Sequence, residues 1–425
     1  MTARAPRIGL YGLLGSGNLG NDGSLDAMLG HLRLRYPEAE LEALTDAPDG
    51  ARARWGVRAT RMHWNRHEYE TAATPQALLR KALGKVVDAA RVAAWVRRHD
   101  VVLMSGMGAF EATLPLRPWG TPYTQFLVCV SGRLLGTRVA LVGVGADDVR
   151  SRAMRVLFVA AARAVTYLSY RDGYSQSAMR RMGLRERADR VFPDLVHALP
   201  APPAVPGPTG VVGVGVLDFH GGNDDRDRAH EVHTRYVASV TALVHGILDT
   251  GREVRMLVGD RADERIVRLV AADVVARRPA DAGRVHSDPV ASLDDLMQQM
   301  VGLDAVVATR FHNVVCALRT ARPTISLGYS AKNAVLMADV GLAGYCHPAD
   351  GFDPGTVLGQ LSELLADADR VSERIARRTR GYREALDEQF AQLDAVLFPT
   401  RPDWSTGSGG GTDHGRRPHR PVVRR

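Results

Sequence analysis

Short apolar runs alternate with longer amphipathic stretches along the first half of the chain. The apolar runs have the length of β-strands, and SLDAMLGHLRLRY at residues 24–36 has the apolar spacing of a helix. Strands are predicted at residues 7–11, 100–106, 137–145 and 164–170. Because strands that alternate with helices favour a parallel sheet with helices on both faces, this half is predicted to be a doubly wound α/β domain.

A proline-rich segment then interrupts the alternation. Residues 198–210 read ALPAPPAVPGPTG, in which five of thirteen residues are proline, a composition that fits neither a helix nor a sheet. Beyond this segment, strands are predicted at residues 211–216, 253–259, 304–308 and 323–328. The chain is therefore predicted to form two α/β domains that face each other across a cleft, where ligands bind outside the carboxyl ends of the strands.

The predicted organisation has five parts. A Rossmann-like N-terminal domain spans residues 5–198, a linker spans residues 199–210, and a second Rossmann-like domain spans residues 211–350. Residues 354–397 are predicted to be helical and to pack back on the body of the protein. Residues 400–425 are rich in Gly, Ser, Pro and Arg, and their lack of apolar residues predicts a disordered tail.

Charge is concentrated at the C-terminus. The chain has a formal net charge of +8, and the six Arg and two Asp of residues 401–425 supply +4 of it. The remaining +4 is a mild excess, which fits anionic substrates and argues against nucleic acid as a partner. The basic tail is a candidate for peripheral contact with anionic lipid at the inner face of a membrane.

Cysteine usage and hydropathy indicate a cytoplasmic protein. The three cysteines, Cys129, Cys316 and Cys346, form no CxxC pair, so the sequence predicts neither a disulfide framework nor a zinc site. No run of about 18 apolar residues occurs, and the N-terminus reaches glycines too early for a signal peptide. We expect metal-independent chemistry without a cofactor.

The first candidate site is glycine-rich. GLYGLLGSGNLGNDGSLDAML at residues 9–29 carries a strand into a series of glycines and then into a helix. Glycines let the backbone approach a ligand closely, and a helix N-terminus favours an anion. The string is neither a clean dinucleotide fingerprint nor a Walker loop. A flexible βα turn, with Asn and Asp capping the helix, fits it as well as a binding loop does.

Two further motifs follow predicted strands. In LSYRDGYSQSAMRRMGL, Arg171 and Asp172 come directly after a strand. Asp172 is a helix cap in the simpler interpretation, and in the functional one Arg171 lies at the edge of the cleft. In RVFPDLVHAL, Asp194 follows a proline just before the linker, and it is either a hinge residue or a carboxylate that faces the cleft.

The most specific motif is ATRFHNVVCALRTARPTISLGYSAKN at residues 308–333. One strand ends at Arg310 and His312, and the next ends at Tyr329 with Lys332 at the start of a helix. Adjacent parallel strands would bring these two loops together. Arginine offers a planar fork to carboxylate or phosphate, lysine adds a point charge, and His312 can carry a proton to or from a reacting group. The pattern predicts a site for an anionic, phosphorylated small molecule.

Taken together, these motifs resemble the polysaccharide pyruvyl transferase family over most of residues 8–345. The resemblance is carried by GSGNLGND, YRDGYS, the Pro-Asp pair at Asp194, and Arg310, Phe311, His312, Pro323, Tyr329 and Lys332. The family usually has Leu at position 311 and Gly-Asn-x-Gly-Asp in the first loop, so Asp22 is displaced by one residue here. Its GGG after the third strand corresponds loosely to SGMGAFE at residues 105–111.

The resemblance implies a GT-B-like fold and a defined reaction. Family members transfer the enolpyruvyl group of phosphoenolpyruvate to a sugar, which yields a cyclic pyruvate ketal and phosphate. Arg310 and His312 are carried over to the phosphoenolpyruvate site, and Lys332 is added to them by position and charge. His312 is expected to protonate C3 of the enol. Asp22 or Glu111 is expected to accept a proton from a sugar hydroxyl.

Further substrate contacts are expected around these groups. The sequence does not identify which sugar is the acceptor. The expected substrate-binding residues are Lys332, Tyr329, Asn313, Gly15, Gly17, Asn18, Arg171 and Glu111. The acceptor is expected to be a glycan of the cell envelope or an exopolysaccharide, or its lipid- or nucleotide-linked precursor. One alternative is a GT-B glycosyltransferase that uses a nucleotide sugar, although no acidic residue in the 310–340 region is clearly placed for a ribose. The other is a non-catalytic binding member of the family.

Overall fold

The computed structural model describes residues 4–65, 74–111, 118–187, 189–221 and 223–399, with residues 223, 224 and 226 described by their backbone alone. The tail predicted to be disordered, residues 400–425, lies outside this part of the chain.

Within the described residues, the N-terminal half forms a parallel sheet of seven strands with helices on its faces. The strands are β1 (Arg7–Tyr11), β2 (Glu40–Thr45), β3 (Arg58–Arg61), β4 (Val101–Ser105), β5 (Arg138–Val144), β6 (Tyr167–Tyr170) and β7 (Arg190–Val191). The helices are α1 (Leu19–Arg35), α2 (Pro48–Trp55), α3 (Pro75–Arg97), α4 (Thr121–Leu135), α5 (Arg152–Ala164) and α6 (Gly173–Met182). The strand order is β3-β2-β1-β4-β5-β6-β7, and it reverses direction between β1 and β4.

The C-terminal half repeats this design with six parallel strands. The strands are β8 (Val211–Gly215), β9 (Glu253–Leu257), β10 (Val285–His286), β11 (Ala305–Ala308), β12 (Thr324–Gly328) and β13 (Cys346–Pro348). The helices are α7 (Ala229–Asp249), α8 (Glu264–Arg277), α9 (Leu293–Met300), α10 (Phe311–Arg319), α11 (Ala331–Asp339), α12 (Pro354–Ala366) and α13 (Ala368–Leu397). The strand order is β10-β9-β8-β11-β12-β13, with its reversal between β8 and β11.

The predicted α/β class with two parallel sheets is confirmed. The strands that the sequence revealed are the buried ones: all five residues of β4, VVLMS, and all four of β11, AVVA, are buried. Such continuous apolar runs are typical of strands covered by helices on both faces. The edge strand β3 and its neighbour β2 were not predicted, because RATR and ELEALT mix exposed charged residues with few apolar ones.

The long helix α13 joins the two hydrophobic cores. Its first half places Val371 and Ile375 in the core of the C-terminal domain, and its second half places Leu386 and Phe390 in the core of the N-terminal domain. A rotation of one domain against the other would therefore expose apolar surface on this helix.

Helix α1 begins earlier than the apolar pattern indicated. It starts at Leu19 rather than near residue 24, because the Asn18 side chain accepts a hydrogen bond from the Asn21 N–H and caps it. Gly20 and Gly23 consequently lie inside the helix, where the C-terminal domain packs closely. A Cβ atom at Gly23 would lie 2.2 Å from Cδ1 of Leu293, so the glycine leaves room for this side chain of the other domain.

None of the helices in the described residues combines the length and the apolar character needed to cross a membrane.

Candidate active site

A cavity of about 640 Å³ lies between the two domains, at the carboxyl ends of their strands. Its walls include the loops that follow β1 and β4 in one domain and β8 and β11 in the other. These are the strands at which each sheet reverses its order, where open α/β sheets place their ligands. Seven residues selected from the sequence line this cavity: Asn18, Glu111, Arg171, Arg310, His312, Tyr329 and Lys332.

Arg171 is buried at the end of β6, where only 3% of its side chain is exposed. Its Nη2 donates to Oε1 of Glu111 at 2.6 Å, and its Nη1 lies 3.8 Å from Oδ2 of Asp194. The guanidinium also stacks on Phe311 of the other domain, 5.0 Å from the ring centroid. Two carboxylates and an aromatic face therefore hold this buried cation in one orientation.

Glu111 bridges the two domains through cations on both sides. Its Oε2 lies 3.4 Å from Nζ of Lys332 at the start of α11, while its Oε1 accepts from Arg171. Burial would raise the pKa of Glu111, but the charges of Lys332 and Arg171 outweigh it and lower the pKa. The carboxylate is thus ionised and weakly basic, which suits it to holding cations better than to accepting a hydroxyl proton.

Gly145 leaves the space that this ion pair occupies. A Cβ atom at position 145 would lie 2.4 Å from Nη2 of Arg171 and 2.6 Å from Oε1 of Glu111. The loop carrying Glu111 is fastened to the same backbone, since the Gly145 N–H donates to the Met107 carbonyl at 2.8 Å. Met107 itself has a φ of 61°, an uncommon conformation for a residue with a side chain.

His312 faces a buried carboxylate. Its Nε2 lies 3.7 Å from Oδ2 of Asp194, and neither atom has a hydrogen-bond partner among the described residues. Oδ1 of Asp194 accepts from the Val196 N–H at 3.0 Å. Burial would raise the pKa of Asp194, but His312, Arg171 and the Val196 N–H outweigh it, so the pKa lies well below its usual range. From the sequence, Asp194 was either a hinge residue or a carboxylate facing the cleft; in the structure it is buried beside His312 and is not among the residues that line the cavity.

Arg310 reaches the cavity while bound to its own domain. Its Nε and Nη2 donate to the two oxygens of Asp263, the latter at 2.9 Å to Oδ1. Asp260 lies 3.7 Å from Nη2. The Asp263 side chain is fully buried, so this is a forked ion pair that fixes the guanidinium. Nη1 takes no part in this pair.

The structure separates Asp22, Gly15 and Gly17 from this cluster, which corrects their expected position. They line a second cavity of about 770 Å³, together with Arg54 and Arg261. Asp22 is turned away because its Oδ1 accepts from the Gly15 N–H at 2.8 Å, inside the turn that precedes α1. Burial raises the pKa of Asp22 to about 6, with the Gly15 hydrogen bond opposing it.

Asn18 stands between the two cavities. It forms a bridge to Asp260 of the other domain, to which its Nδ2 donates at 3.2 Å, and the neighbouring Leu19 N–H donates to the Gly259 carbonyl at 3.3 Å. Asn18, which the sequence predicted to bind substrate, lines the first cavity, and one of its hydrogen bonds contributes to the contact between the domains.

Asn313 does not line either cavity. It lies in the first turn of α10 and is fully buried, and its Nδ2 donates weakly to the Leu257 carbonyl at 3.4 Å. Gly215 and Gly259 leave room for it, since a Cβ atom at either position would lie within 3 Å of its side-chain amide. The expected substrate contact is therefore replaced by a packing role between β8, β9 and α10.

The sequence patterns did not single out several polar residues at the cavity or paired with its residues. Asp218 and His220 follow β8 in LDFH and line the cavity, and Asp263, which follows β9 in the acidic stretch GDRADE, is fully buried as the partner of Arg310. Their position just after predicted strands was the available signal, since such positions converge at one edge of a parallel sheet. Their pairing with residues distant in sequence could not be read from spacing.

Comparison with known proteins places the chain in a recognised group. The family model described as polysaccharide pyruvyl transferase matches residues 18–331. Among solved structures, Staphylococcus aureus MnaA with UDP has a TM-score of 0.58 and 10% identity, over 93% of this chain and 99% of that one. Anabaena HepE with UDP and glucose has a TM-score of 0.54 and 11% identity, over 91% and 100%. The UDP-GlcNAc 2-epimerase of Methanocaldococcus jannaschii has a TM-score of 0.53 and 11% identity, over 87% and 98%. At these identities the likeness shows the fold alone, which is the GT-B arrangement of glycosyltransferases and epimerases.

Proposed function

Because the chain belongs to the polysaccharide pyruvyl transferase family, we propose that it transfers the enolpyruvyl group of phosphoenolpyruvate to a sugar. The acceptor is a cell-envelope glycan or exopolysaccharide, or its precursor, and the products are a pyruvate ketal and phosphate. One observation carries the proposal: Arg171, Arg310, His312 and Lys332 converge on one cavity from both domains. Three fixed cations and an imidazole suit a small substrate that bears both a phosphate and a carboxylate.

Phosphoenolpyruvate would be bound by cationic side chains and backbone N–H groups whose orientation is already fixed by the fold. The N-termini of α10 and α11 begin at the cavity wall and add backbone N–H groups for an anion. Nη1 of Arg310 is not used by Asp263, and Lys332 is held by Glu111 at the long distance of 3.4 Å. A bound phosphate or carboxylate would compete with Glu111 for Lys332, so binding should loosen one contact between the domains.

His312 is the group that would supply the proton. Protonation of C3 leaves an oxocarbenium-like centre at C2, to which the first sugar hydroxyl adds while its proton returns to His312. The bond from C2 to the phosphate oxygen then breaks, the second hydroxyl adds, and its proton leaves with the phosphate. This sequence balances without a second protein base, so it needs neither Asp22 nor Glu111. The carboxylate of Asp194 would offset the charge of the imidazolium, and Arg171 and Lys332 that of the departing phosphate.

The alternative of a nucleotide-sugar glycosyltransferase has one feature in its favour. The second cavity, with Arg54 and Arg261 in its walls, is large enough for a nucleotide. Several acidic side chains share those walls, including Asp22, Asp260 and Glu264, so its lining is not strongly cationic. The alternative of a non-catalytic binding protein predicts ligand binding without turnover.

The test is release of phosphate from phosphoenolpyruvate. Purified protein would be incubated with phosphoenolpyruvate and a panel of free, nucleotide-linked and lipid-linked sugars, beside His312→Asn and the control His245→Ala. His245 pairs with Asp273 at 2.8 Å, away from the cavity. Acceptor-dependent release by the wild type and His245→Ala, absent in His312→Asn, supports the proposal. Release that His312→Asn retains would remove His312 from the mechanism. Transfer from a nucleotide sugar without phosphoenolpyruvate would establish the glycosyltransferase instead.

A further inference from the structure

Helix α3 has two apolar faces, and only one of them packs against the protein. The packed face includes Val92, Trp95 and Val96, all of them buried. The other face carries four large apolar side chains whose exposed fractions run from 54% to 72%: Leu78, Leu79, Leu83 and Val86. A helix that packs on a domain with one face normally has polar side chains on the opposite face, so this second apolar face is unusual.

The exposed side chains form one continuous patch. Leu79, Leu83 and Val86 follow each other at intervals of four and three residues, which places them on one face of a helix. Leu78 and Leu79 both lie one turn before Ala82, which is also exposed. We call these five residues the α3 patch. Contiguous apolar surface of this kind marks a site of interaction with a protein or a membrane.

Cations border the α3 patch on both sides. Helical spacing places Arg80 along one border and Lys81 and Lys85 along the other. Residues 75–87 hold these three cations and no acidic residue. An apolar helix face bordered by Lys and Arg is typical of a helix that lies in the interface of an anionic membrane.

Two exposed tryptophans lie beside the same part of α3. The ring centroid of Trp64 is 5.9 Å from the guanidinium of Arg80. Trp119 packs edge-on against Tyr123, with centroids 5.9 Å apart, and the Tyr123 hydroxyl donates to the Lys85 carbonyl at 3.5 Å. Trp and Tyr are enriched where a membrane meets water, because their rings are apolar and carry one polar group.

Helix α4 connects this surface to the cavity between the domains. Its first turn supplies Thr121 and Pro122 to the cavity wall, and Tyr123 in the same turn contacts α3. A membrane that lay against the α3 patch would therefore be close to the N-terminal wall of the cavity.

We propose that the α3 patch, with Trp64 and Trp119, docks the protein on an anionic membrane surface, where its apolar side chains enter the headgroup region. This surface is distinct from the basic tail at residues 401–425. The docking does not depend on the proposed function. Its consequence for the acceptor does rest on that function: a cavity held beside the membrane would take the sugar in its lipid-linked form.

A second copy of the chain is the other occupant that an exposed apolar helix could take. In a two-fold symmetric contact the same patch meets itself. The three cations of each copy would then be brought together, and residues 75–87 contain no carboxylate to pair with them. Charge therefore favours an anionic lipid surface over a second copy.

The first experiment measures vesicle binding without any substrate. Full-length protein would be sedimented with vesicles of phosphatidylcholine alone, and with vesicles that also contain phosphatidylglycerol. We expect binding to the mixed vesicles that weakens as salt is raised, and little binding to phosphatidylcholine alone. The double variant Leu79→Ser, Leu83→Ser should lower the affinity by more than about tenfold. Arg80→Gln should lower it by about fivefold.

The matched control is the double variant Leu34→Ser, Leu134→Ser. It removes two exposed leucines at the C-terminal ends of α1 and α4, and it should bind vesicles like the wild type. Because the substituted leucines are exposed in both double variants, both should keep the melting temperature of the wild type.

Three outcomes would overturn the docking surface. Vesicle binding that Leu79→Ser, Leu83→Ser retains in full would assign the contact to the basic tail, which every variant keeps. An equal loss in the control would mean that no particular surface is involved. A dimer, seen by light scattering in the wild type and absent from Leu79→Ser, Leu83→Ser, would assign the patch to a second copy.

The second experiment identifies which part of the protein enters the membrane. Mixed vesicles with brominated acyl chains would be added while tryptophan fluorescence is recorded for the wild type, Trp119→Phe and Trp404→Phe. Trp404 belongs to the tail. We expect quenching in the wild type and in Trp404→Phe, and clearly less in Trp119→Phe. No quenching in the wild type, or quenching that Trp119→Phe keeps and Trp404→Phe loses, would overturn the proposal.

Discussion

The imidazole of His312 lies directly against the backbone of Gly20, so that a Cβ atom at position 20 would be 2.0 Å from its Nδ1. His312 belongs to the C-terminal domain and Gly20 to the first turn of α1 in the N-terminal domain. The first turn of this helix therefore sets how far the proposed acid can move, and the absence of a side chain at position 20 is part of the site.

Gly20→Ala should displace His312 and lower turnover while leaving phosphoenolpyruvate binding comparatively unchanged. A displacement of about 1 Å in a catalytic group can cost about a hundredfold in rate. The matched control is Gly30→Ala in the same helix, where an added Cβ meets nothing within 4 Å. That change should raise stability by about 0.5–1 kcal/mol through helix propensity and leave turnover intact. Equal turnover in both variants would show that the contact at Gly20 does not position His312.

Arg310→Ala should destabilise the fold as well as weaken donor binding. It leaves the carboxylate of Asp263 buried without its cation, which costs about 3–5 kcal/mol when one partner of a buried pair is removed. Adding Asp263→Asn removes the uncompensated charge, so the double variant should recover part of this loss in urea unfolding. Its affinity for phosphoenolpyruvate should stay about 2 kcal/mol weaker than that of the wild type. A double variant no more stable than Arg310→Ala alone would contradict a stabilising ion pair between Arg310 and Asp263.

Glu111→Gln should strengthen binding of phosphoenolpyruvate. Glu111 pairs with both Arg171 and Lys332, so replacing it with a neutral isostere leaves more of their positive charge for the substrate, while Asp194 still lies beside Arg171. We expect a gain on the order of tenfold in affinity, or ~1.4 kcal/mol, larger at low salt than at high salt. Calorimetry at two ionic strengths measures it. Weaker binding in the variant would instead make Glu111 a positioning residue for the two cations.

Asp22 should make stability fall as the pH rises from about 4 to about 6. Its pKa is raised from 3.8 to about 6 by burial, so between these values the folded state binds more protons than the unfolded state. Above about pH 6, ionisation of the buried carboxylate has lowered the free energy of unfolding by its full amount, roughly 3 kcal/mol. Asp22→Asn removes this titration, so it should be more stable than the wild type at pH 7 and similar to it at pH 4. Unfolding curves at both pH values check this, and parallel pH profiles would contradict it.

The sequence predicted the sheets well where burial decides the pattern. Runs such as VVLMS and AVVA read as strands because both faces of a central parallel strand are covered. The edge strand β3 and its neighbour β2 carry no such run, and the two-residue strands β7 and β10 are too short to produce a pattern. These strands form because a neighbouring strand of the sheet supplies their hydrogen-bond partners, and that neighbour is distant in sequence.

The site was predictable only where a motif supplied several groups at once. Arg310, His312 and Lys332 lie within one stretch of sequence, and they do line the cavity. Asp22 lines the other cavity because its Oδ1 accepts from the Gly15 N–H in the turn before α1, a contact that residue spacing does not reveal. The pairing of Arg310 with Asp263 joins side chains 47 residues apart, and that of Glu111 with Lys332 joins side chains 221 residues apart. No local pattern encodes such pairs, because they depend on how the two sheets face each other.

Calorimetric titration with phosphoenolpyruvate, beside UDP and GDP, measures directly which donor the cavity binds. Wild type, Lys332→Ala and the control Arg58→Ala would be compared; Arg58 is an exposed residue paired with Glu40 on an edge strand. We expect saturable binding of phosphoenolpyruvate to the wild type and to Arg58→Ala, markedly weakened in Lys332→Ala, with neither nucleotide competing for the same site. Tight binding of UDP or GDP, with no binding of phosphoenolpyruvate, would contradict it and make the cavity the site of a nucleotide-sugar enzyme.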